Sequence, residues 1–315
     1  MPTSPTVKTV AEAAGVSPAT VSNAYNRPER LSAGLRARIL AIAEEQGYPG
    51  PDPVARSLRT RRSGAIGVIF TTGLSRAFAD PYLVTMLGGL SEVAEASGTG
   101  LVLVPAAVEA VQRAAIDGAV AYWLDDGHPV VRLLAARGIP LVRSADTATG
   151  PCVTIDDTAA GRSIGRHLAG LGHRDVAVLV SDPDLPYSRL RLAGIRAGLG
   201  AGARIRMVTA AGPLLNGTDR PSAIAADSDV LALGVLDAVR SHGLRPGRDL
   251  SVTGFDGVPA AQAAGLTTVR QPIRETGRLM GRMLLDPGFT ERRVILPTEL
   301  VVGASTGPAP DRSVR

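Results

Sequence analysis

The chain is poor in cysteine, in lysine and in aromatic residues. Cys152 is the single cysteine, Lys8 is the one lysine among 34 basic residues, and aromatic residues make up 3% of the sequence. A lone cysteine excludes a disulfide within the chain and fits a reducing compartment. No apolar run approaches the ~20 residues of a membrane span, and the first residues carry no apolar signal segment. We therefore expect a cytoplasmic protein without a membrane anchor.

Signatures of common catalytic sites are also missing. The sequence contains no G-x-x-x-x-G-K-[ST] or G-x-G-x-x-G motif. Its four histidines, His128, His167, His173 and His242, do not have the spacing of metal ligands. We therefore expect neither an enzyme nor a bound metal or cofactor.

The charge that is present lies at one end of the chain. Residues 1–62 carry nine basic and five acidic side chains, a net charge of +4 out of +5 for the whole chain. Such an asymmetry is typical of a nucleic-acid-binding segment, and less often of one that binds an anionic membrane surface. It is also compatible with an ordinary solvated, arginine-rich surface.

Two short helices are predicted in this basic segment. Thr6 is a good N-cap for an amphipathic helix that ends at Gly15. Ser17 caps a second helix, with Pro18 at its first position, which runs to about Asn26. Because few residues separate them, the two helices are joined by a tight turn.

A third helix and a short fourth one follow. Ser32 caps the third helix, which ends near Gly47, and together the three predict a helix-turn-helix unit. Asp52 and Pro53 are the cap and first position of a short helix over residues 54–59. A helix of this length is marginal in isolation, so we expect it to form only on docking.

The rest of the chain alternates short apolar runs with helical stretches. The runs AIGVIF, GLVLVP, GAVAYW, IPLVRS, VAVLVS, LALGVL and LSVTGF are predicted as strands. Alternation of this kind is typical of βαβ units and parallel sheets. The predicted fold class is α/β, doubly wound, with an all-α head.

Several segments resemble the lactose-repressor (LacI/GalR) family of transcription regulators. They include VKTVAEAAGVSPATVSNAYN, LSAGLRARILAIAEEQGY and VARSL near the start, then IDDTAAGRSIGRHLAGLGHRDVAVLV, DLSVTGFD and LPTELVVGAST. The resemblance implies a head at 1–50, a hinge helix and linker at 51–62, and a periplasmic-binding-protein-like body at 63–315. The implied lobes are an N-lobe at about 63–146 and 268–292, and a C-lobe at about 150–266 and 293–305.

The resemblance also implies which residues meet DNA. The second helix would lie in the major groove, and Asn23 is the best base reader because its amide matches the edge of adenine. Leu58 of the hinge helix would wedge a base step open in the minor groove. The full set of implied DNA contacts is Ser17, Pro18, Ala19, Thr20, Ser22, Asn23, Asn26, Arg30, Ser32, Tyr48, Ala55, Arg56, Leu58 and Arg59.

A small polar effector of the sugar or nucleoside class would bind between the lobes. Arg191 offers a fork of donors and Asp229 paired acceptors, although Asp229 is also a good N-cap and Arg191 a possible surface ion-pair residue. The implied effector contacts are Asp80, Tyr82, Arg191, Asp229 and Phe255. The chain departs from the family at Ala145, where an aspartate is common, and this puts one ligand contact in doubt.

The sequence thus predicts a homodimeric repressor that binds double-stranded DNA at a pseudo-palindromic operator. A transcriptional activator or a ligand-independent regulator is the alternative within the same family. A sugar-binding receptor or an enzyme on the same body fold is the alternative of another class. The DNA-binding head and the hinge distinguish a regulator from a sugar-binding receptor and from an enzyme.

Overall fold

The structure is a computed structural model that describes residues 5–216 and 219–311. The chain divides into an N-terminal head that ends at Gly64 and a body that begins at Ala65. No helix within the described ranges is long and apolar enough to cross a membrane.

The head has the helices that its capping residues predict. They are α1 (Val7–Ala14), α2 (Pro18–Asn26), α3 (Ala33–Glu45) and α4 (Pro53–Thr60), with a 3₁₀ turn at Pro28–Arg30. Thr6, Ser17 and Ser32 each accept a backbone N–H at the start of a helix, and Gly15 ends α1 at φ 64°. This left-handed conformation costs glycine little because it has no Cβ.

Helices α1 to α3 enclose a small apolar core. Its buried members are Val10, Ala11, Ala14, Val21, Ala24, Ile39 and Ala43. Two arginines of α3 add polar ties that the sequence did not reveal. Arg38 donates to the carbonyl of Ala14 at 2.6 Å, and Arg36 donates to that of Ala24 at 3.1 Å. Both occupy carbonyls at helix ends that have no intrahelical partner.

The hinge segment is helical in this structure, whereas we expected a helix only on docking. Asp52 accepts from the amide of Val54 at 2.8 Å, and Pro53 stands at the first position. The hydroxyls of Ser57 and Thr60 donate to carbonyls one turn earlier, and Arg61 closes the helix at φ 56°. The cap and the preset φ of proline offset part of the cost of starting so short a helix.

The body contains two six-stranded sheets. The first has the order β11-β5-β4-β3-β1-β2 and is entirely parallel, and the second has the order β12-β10-β9-β8-β6-β7. In the second, β12 pairs antiparallel with β10, as an edge strand. The strands are β1 (Ala65–Phe70), β2 (Gly100–Pro105), β3 (Gly118–Tyr122), β4 (Leu141–Ser144), β5 (Cys152–Ile155), β6 (Asp175–Leu179), β7 (Arg204–Val208), β8 (Ala223–Ala226), β9 (Ser251–Asp256), β10 (Thr267–Arg270), β11 (Arg293–Leu296) and β12 (Glu299–Val301).

Helices of the body connect and cover these strands. They are α5 (Leu74–Ala79), α6 (Pro81–Ala96), α7 (Val108–Arg113), α8 (Pro129–Ala136), α9 (Asp157–Gly170), α10 (Pro186–Leu199), α11 (Gly212–Asn216), α12 (Asp229–Ser241), α13 (Pro259–Ala263) and α14 (Ile273–Leu285). Six of the seven predicted strands are present. The seventh prediction, LALGVL at residues 231–236, is wrong because these residues lie inside α12. An apolar run this short fits a buried strand and a buried helix equally well.

Strand pairing moves the lobe boundaries away from those predicted. Residues 152–155 and 293–296 were both expected in the C-lobe. They form β5 and β11 of the first sheet. Residues 268–270, expected in the N-lobe, belong to β10 of the second sheet. We therefore call the first sheet with its helices the N-lobe and the second the C-lobe. Pairing across the sheet is non-local, so an apolar pattern along the chain does not reveal it.

The helix pair α9 and α10 on the C-lobe approaches more closely than side chains permit. A Cβ on Gly161 would collide with the backbone carbonyl of Arg191, and one on Gly194 with that of Thr158. Glycine at these positions lets the two backbones touch. The contact fixes the start of α10, and with it Arg191, against the start of α9.

Candidate functional sites

The outward face of α2 holds the predicted reading residues. Ser17, Pro18 and Ala19 are exposed at its N-terminal end, and Thr20 and Ser22 are half-buried. Val21 and Ala24 point the other way into the core. This division follows from the helical period of 3.6 residues.

The two asparagines of α2 differ in what they offer. The Asn26 amide donates to the carbonyl of Ser22 at 2.9 Å and to its hydroxyl at 3.3 Å, so it is engaged by its own helix. Within the described part of the chain, the Asn23 side chain makes no hydrogen bond. Its donor and acceptor therefore remain available for a base edge.

The residues predicted to hold phosphates lie around this helix. Arg30 and Ser32 are exposed, and Tyr48 is half-buried with its ring packed edge-on against Tyr25 at 6.1 Å. Ser32 already accepts from the amide of Leu35, as the cap of α3.

The hinge helix α4 presents an apolar residue to solvent. Leu58 is 76% exposed and Val54 is 65% exposed, while Ala55, Arg56 and Arg59 are exposed beside them. A leucine this exposed buries nothing within its own unit. Leu58 and Val54 are therefore accessible to a binding partner.

A cleft between the lobes of the body forms the second candidate site. Its lining consists of Tyr82, Tyr122, Trp123, Ser144, Val153, Thr154, Ile155, Arg191, Gln271 and Thr276, around a cavity of about 10 Å³, which is room for one water molecule. Of the five predicted effector residues, the structure places Tyr82 and Arg191 on this lining.

Arg191 is held rigidly at the cleft. Its Nε donates to Asp157 at 2.7 Å, and a terminal nitrogen donates to the carbonyl of Asp227 at 2.6 Å. Its guanidinium lies 3.5 Å from the ring centre of Phe255 and 4.7 Å from that of Tyr187. Only 5% of the residue is exposed, so it is a buried ion-pair residue and not a surface one.

Asp229 and Phe255 lie beneath the lining. Both carboxylate oxygens of Asp229 are occupied, one by the hydroxyl of Thr268 at 2.6 Å and one by the amide of Val258 at 2.8 Å. This arrangement does not support the predicted ligand contact. Nor is Asp229 the cap of α12, because Ser228 accepts from the amide of Leu231. Phe255 is fully buried and supports Arg191 from below.

Asp80 and Tyr82 stand at the start of α6, the second helix of the body. The Asp80 carboxylate accepts from the amide of Tyr82 at 2.9 Å and caps the helix. The short helix α5 (Leu74–Ala79) comes before it in the chain. Asp80 is half-buried and lies outside the lining.

Sequence reasoning missed most of the cleft. Besides Asp157 and Asp227, it overlooked the rings of Tyr122, Trp123 and Tyr187. One signal was present, since the chain has only five tyrosines and one tryptophan, and four of these six rings meet here. In a sequence this poor in aromatics, every ring is a candidate site residue.

Carboxyl groups surround Arg191, and burial governs their ionisation. Burial raises the pKa of Asp157, which Arg191 partly opposes, and burial likewise raises the pKa of Asp227. The pKa of Asp256 lies well above its usual range for the same reason. Burial also raises the pKa of Asp229 to about 6.

Ala145 and Asp146, the residues at the predicted departure from the family, differ in their surroundings. Ala145 is buried, and the neighbouring Asp146 does not replace an acidic group there. Its carboxylate instead pairs with Arg293 at 2.9 Å on the surface, where both side chains are 50% exposed.

Comparison with known proteins identifies both parts. Residues 6–50 match the family model "Bacterial regulatory proteins, lacI family", and residues 166–306 match "Periplasmic binding protein-like domain". The HTH-type transcriptional regulator IpsA of Corynebacterium glutamicum is 38% identical, over 96% of this chain and 98% of its own. An HTH-type transcriptional regulator of Mycobacterium tuberculosis is 36% identical, over 96% and 97%.

Solved structures agree with these matches. The lac repressor dimer bound to operator and the anti-inducer ONPF has a TM-score of 0.80 at 26% identity, covering 97% of this chain and 100% of that one. The transcriptional regulator CelR in complex with cellobiose has a TM-score of 0.67 at 25% identity, covering 96% and 99%. With its helix-turn-helix head and two-lobed α/β body, the chain belongs to the lacI family of bacterial regulatory proteins and is a transcription regulator, not an enzyme.

Proposed function

We propose that the protein is a cytoplasmic repressor that binds a pseudo-palindromic operator as a homodimer. The observation that carries this proposal is the outward face of α2, where the Asn23 amide is unengaged beside the exposed Ser17, Pro18 and Ala19. One head reads only a half-site, and a minor-groove wedge at Leu58 requires a second copy at the centre. The similar lac repressor is a dimer on its operator, which supports the same arrangement here.

Within this proposal the contacts fall into three groups. Ser17, Pro18, Ala19, Thr20, Ser22, Asn23 and Asn26 face the major groove, with Asn23 as the base reader. Arg30, Ser32 and Tyr48 hold phosphates and fix the register. Ala55, Arg56 and Leu58 of α4 enter the minor groove, where Leu58 opens a base step, and Arg59 lies beside the phosphates.

A small polar ligand in the cleft would then modulate operator affinity. The similar regulator CelR has a structure with cellobiose, which supports a sugar as the first class to test and nucleosides as the second. Arg191 and Tyr82 are the contacts that the cleft geometry favours, with Asp80 positioning Tyr82. Coupling between ligand and operator of this kind is typically about 5- to 150-fold in affinity.

Selection from randomised DNA tests the operator proposal. We expect an inverted repeat bound by a dimer, with a log-log salt slope of roughly −5 or steeper, because each neutralised phosphate contributes about −0.9. Sedimentation of the complex gives the stoichiometry. Binding of a monomer to a single unrepeated site, or an affinity independent of salt, would refute the proposal.

The ligand proposal needs a separate experiment. Sugars and nucleosides are screened by thermal shift, and a compound that raises the melting temperature is measured by calorimetry against the wild type and Arg191→Ala. We expect Arg191→Ala to weaken binding and Arg189→Ala, an exposed arginine of the same helix, to leave it unchanged. Equal affinity in wild type and Arg191→Ala would place the ligand elsewhere.

A further inference from the structure

Aromatic rings from both lobes meet at the cleft. In the N-lobe, Tyr82 packs on Tyr122 at 5.1 Å between ring centres, and Tyr122 meets Trp123 edge-on at 6.2 Å. In the C-lobe, Arg191 stacks between the rings of Tyr187 and Phe255. Each lobe therefore brings its own row of flat groups to the cleft.

One contact joins the two rows. Trp123 follows β3 of the N-lobe, Tyr187 lies in the first turn of α10 in the C-lobe, and their ring centres are 4.6 Å apart. This distance is within the range at which aromatic pairs attract each other. The row of rings thus crosses from one lobe to the other through this single pair.

Trp123 holds its place with an unfavourable backbone. Its φ is 49°, in the left-handed region that bulky residues rarely adopt. Only Arg61, Trp123 and Asp256 have a positive φ among the described residues other than glycine, and the last two stand on opposite sides of the cleft. Strain that persists at a site requires contacts that hold it there. Trp123 has such contacts with the rings of Tyr122 and Tyr187.

Tyr187 is fixed from its own side. Its ring lies against the guanidinium of Arg191, which Asp157 and the carbonyl of Asp227 hold in turn. Tyr187 is therefore a rigid platform, and Trp123 is the partner that separates from it when the lobes open.

We infer that Trp123 and Tyr187 form an interlobe latch, a ring pair that holds the cleft closed before any ligand enters. The latch makes both residues determinants of lobe closure, although neither was assigned from the sequence. Its relevance to regulation rests on the proposed function, but the closure itself does not. A failed ligand screen would count against the proposed function and leave the latch untouched.

Distance measurement by pulsed electron spin resonance tests the latch without any ligand. Spin labels are attached through Gln112→Cys on α7 of the N-lobe and Ala197→Cys on α10 of the C-lobe, both exposed positions. The one native cysteine, Cys152, is buried and is changed to alanine in the background. Labelled chains are diluted with unlabelled chains so that only distances within one chain contribute.

We expect a single narrow distance in the wild type and a second, more open population in Trp123→Leu and Tyr187→Leu. Loss of an aromatic pair of usual strength lowers the ratio of the closed to the open conformation by about 2- to 12-fold. The double variant should shift no further than either single one, because both remove the same contact. Phe78→Leu, which removes an exposed ring of α5, is the matched control and should match the wild type.

Fluorescence gives an independent readout, since Trp123 is the only tryptophan in the chain. In Tyr187→Leu its quenching by acrylamide should increase, whereas in Phe78→Leu it should not. If Trp123→Leu does not fold, Tyr187→Leu still decides the question by both methods. A wild-type distance distribution in Tyr187→Leu, or additive shifts in the double variant, would overturn the latch.

Discussion

The reading surface of the head comes from one stretch of sequence, whereas the cleft draws its residues from segments that lie far apart along the chain. Asn23 and its neighbours belong to a single helix whose cap and period are visible in the sequence. At the cleft, Arg191 meets Asp157 and Phe255, residues tens of positions away on either side. The head surface is exposed and tolerant, while the cleft is buried and interdependent. Substitutions should therefore affect recognition in the head and stability at the cleft.

The largest effect is expected from breaking the buried ion pair at the cleft. In Asp157→Ala, Arg191 keeps its charge but loses its carboxylate partner in a buried site, which typically costs about 3 to 5 kcal/mol of unfolding free energy. Asp184→Ala, which removes the partner of Arg189 at an exposed ion pair, should cost less than about 1 kcal/mol. Urea denaturation of both variants measures the difference. Similar costs for the two would mean that the cleft is no more interdependent than the surface.

The buried carboxyl of Asp229 should make stability depend on pH. Folding raises its pKa from 3.8 to about 6, so the folded chain binds this proton more tightly than the unfolded chain does. The resulting stability is fully present below about pH 4 and is lost as the pH rises through about 6. Between pH 4 and 7 the wild type should lose about 2 kcal/mol more than Asp229→Asn.

Urea denaturation across that pH range provides the measurement. The matched control is Asp237→Asn, which changes a carboxylate of the same helix that is 80% exposed and should follow the wild type. Parallel curves for wild type and Asp229→Asn would show that Asp229 does not titrate in this window.

Glycines in two helices of the C-lobe should respond in opposite directions. Gly194→Ala places a methyl group against the backbone of α9, and overpacking of this kind costs about 1 to 3 kcal/mol. Gly234→Ala, within α12, meets no atom within 4 Å and should stabilise by about 0.5 to 1 kcal/mol through the better helix propensity of alanine. Thermal unfolding of both shows the signs. Stabilisation in Gly194→Ala would mean that α9 and α10 separate at little cost.

The head should show its effects in recognition and not in stability. Asn23→Ala should lose discrimination at one base pair per half-site, by about 1 to 3 kcal/mol, with an unchanged melting temperature. Arg59→Ala should weaken binding to all sequences alike, because Arg59 contacts the phosphates in the proposed complex. Selection on randomised operators compares the two. The same consensus for wild type and Asn23→Ala would show that another residue reads the base.

Local rules determined the head from the sequence. Three helix caps and the glycine that ends α1 were predicted residue by residue, because capping acts within a few positions. Hydrophobic patterning also predicted most strands of the body. It failed at LALGVL, where a short apolar run does not distinguish strand from helix.

Tertiary structure alone decided the lobe boundaries and the cleft. Residues 152–155 and 293–296 joined the N-lobe sheet through pairings between distant segments. The sequence identified Arg191 but not that Asp157, Asp227 and two rings hold it, nor that Asp229 is occupied by Thr268 and Val258. A side chain's role in a buried site depends on which remote groups satisfy its charge and hydrogen bonds. Only the folded chain brings those groups together. The sequence therefore identifies candidate residues, and the tertiary structure determines which of them line the cleft.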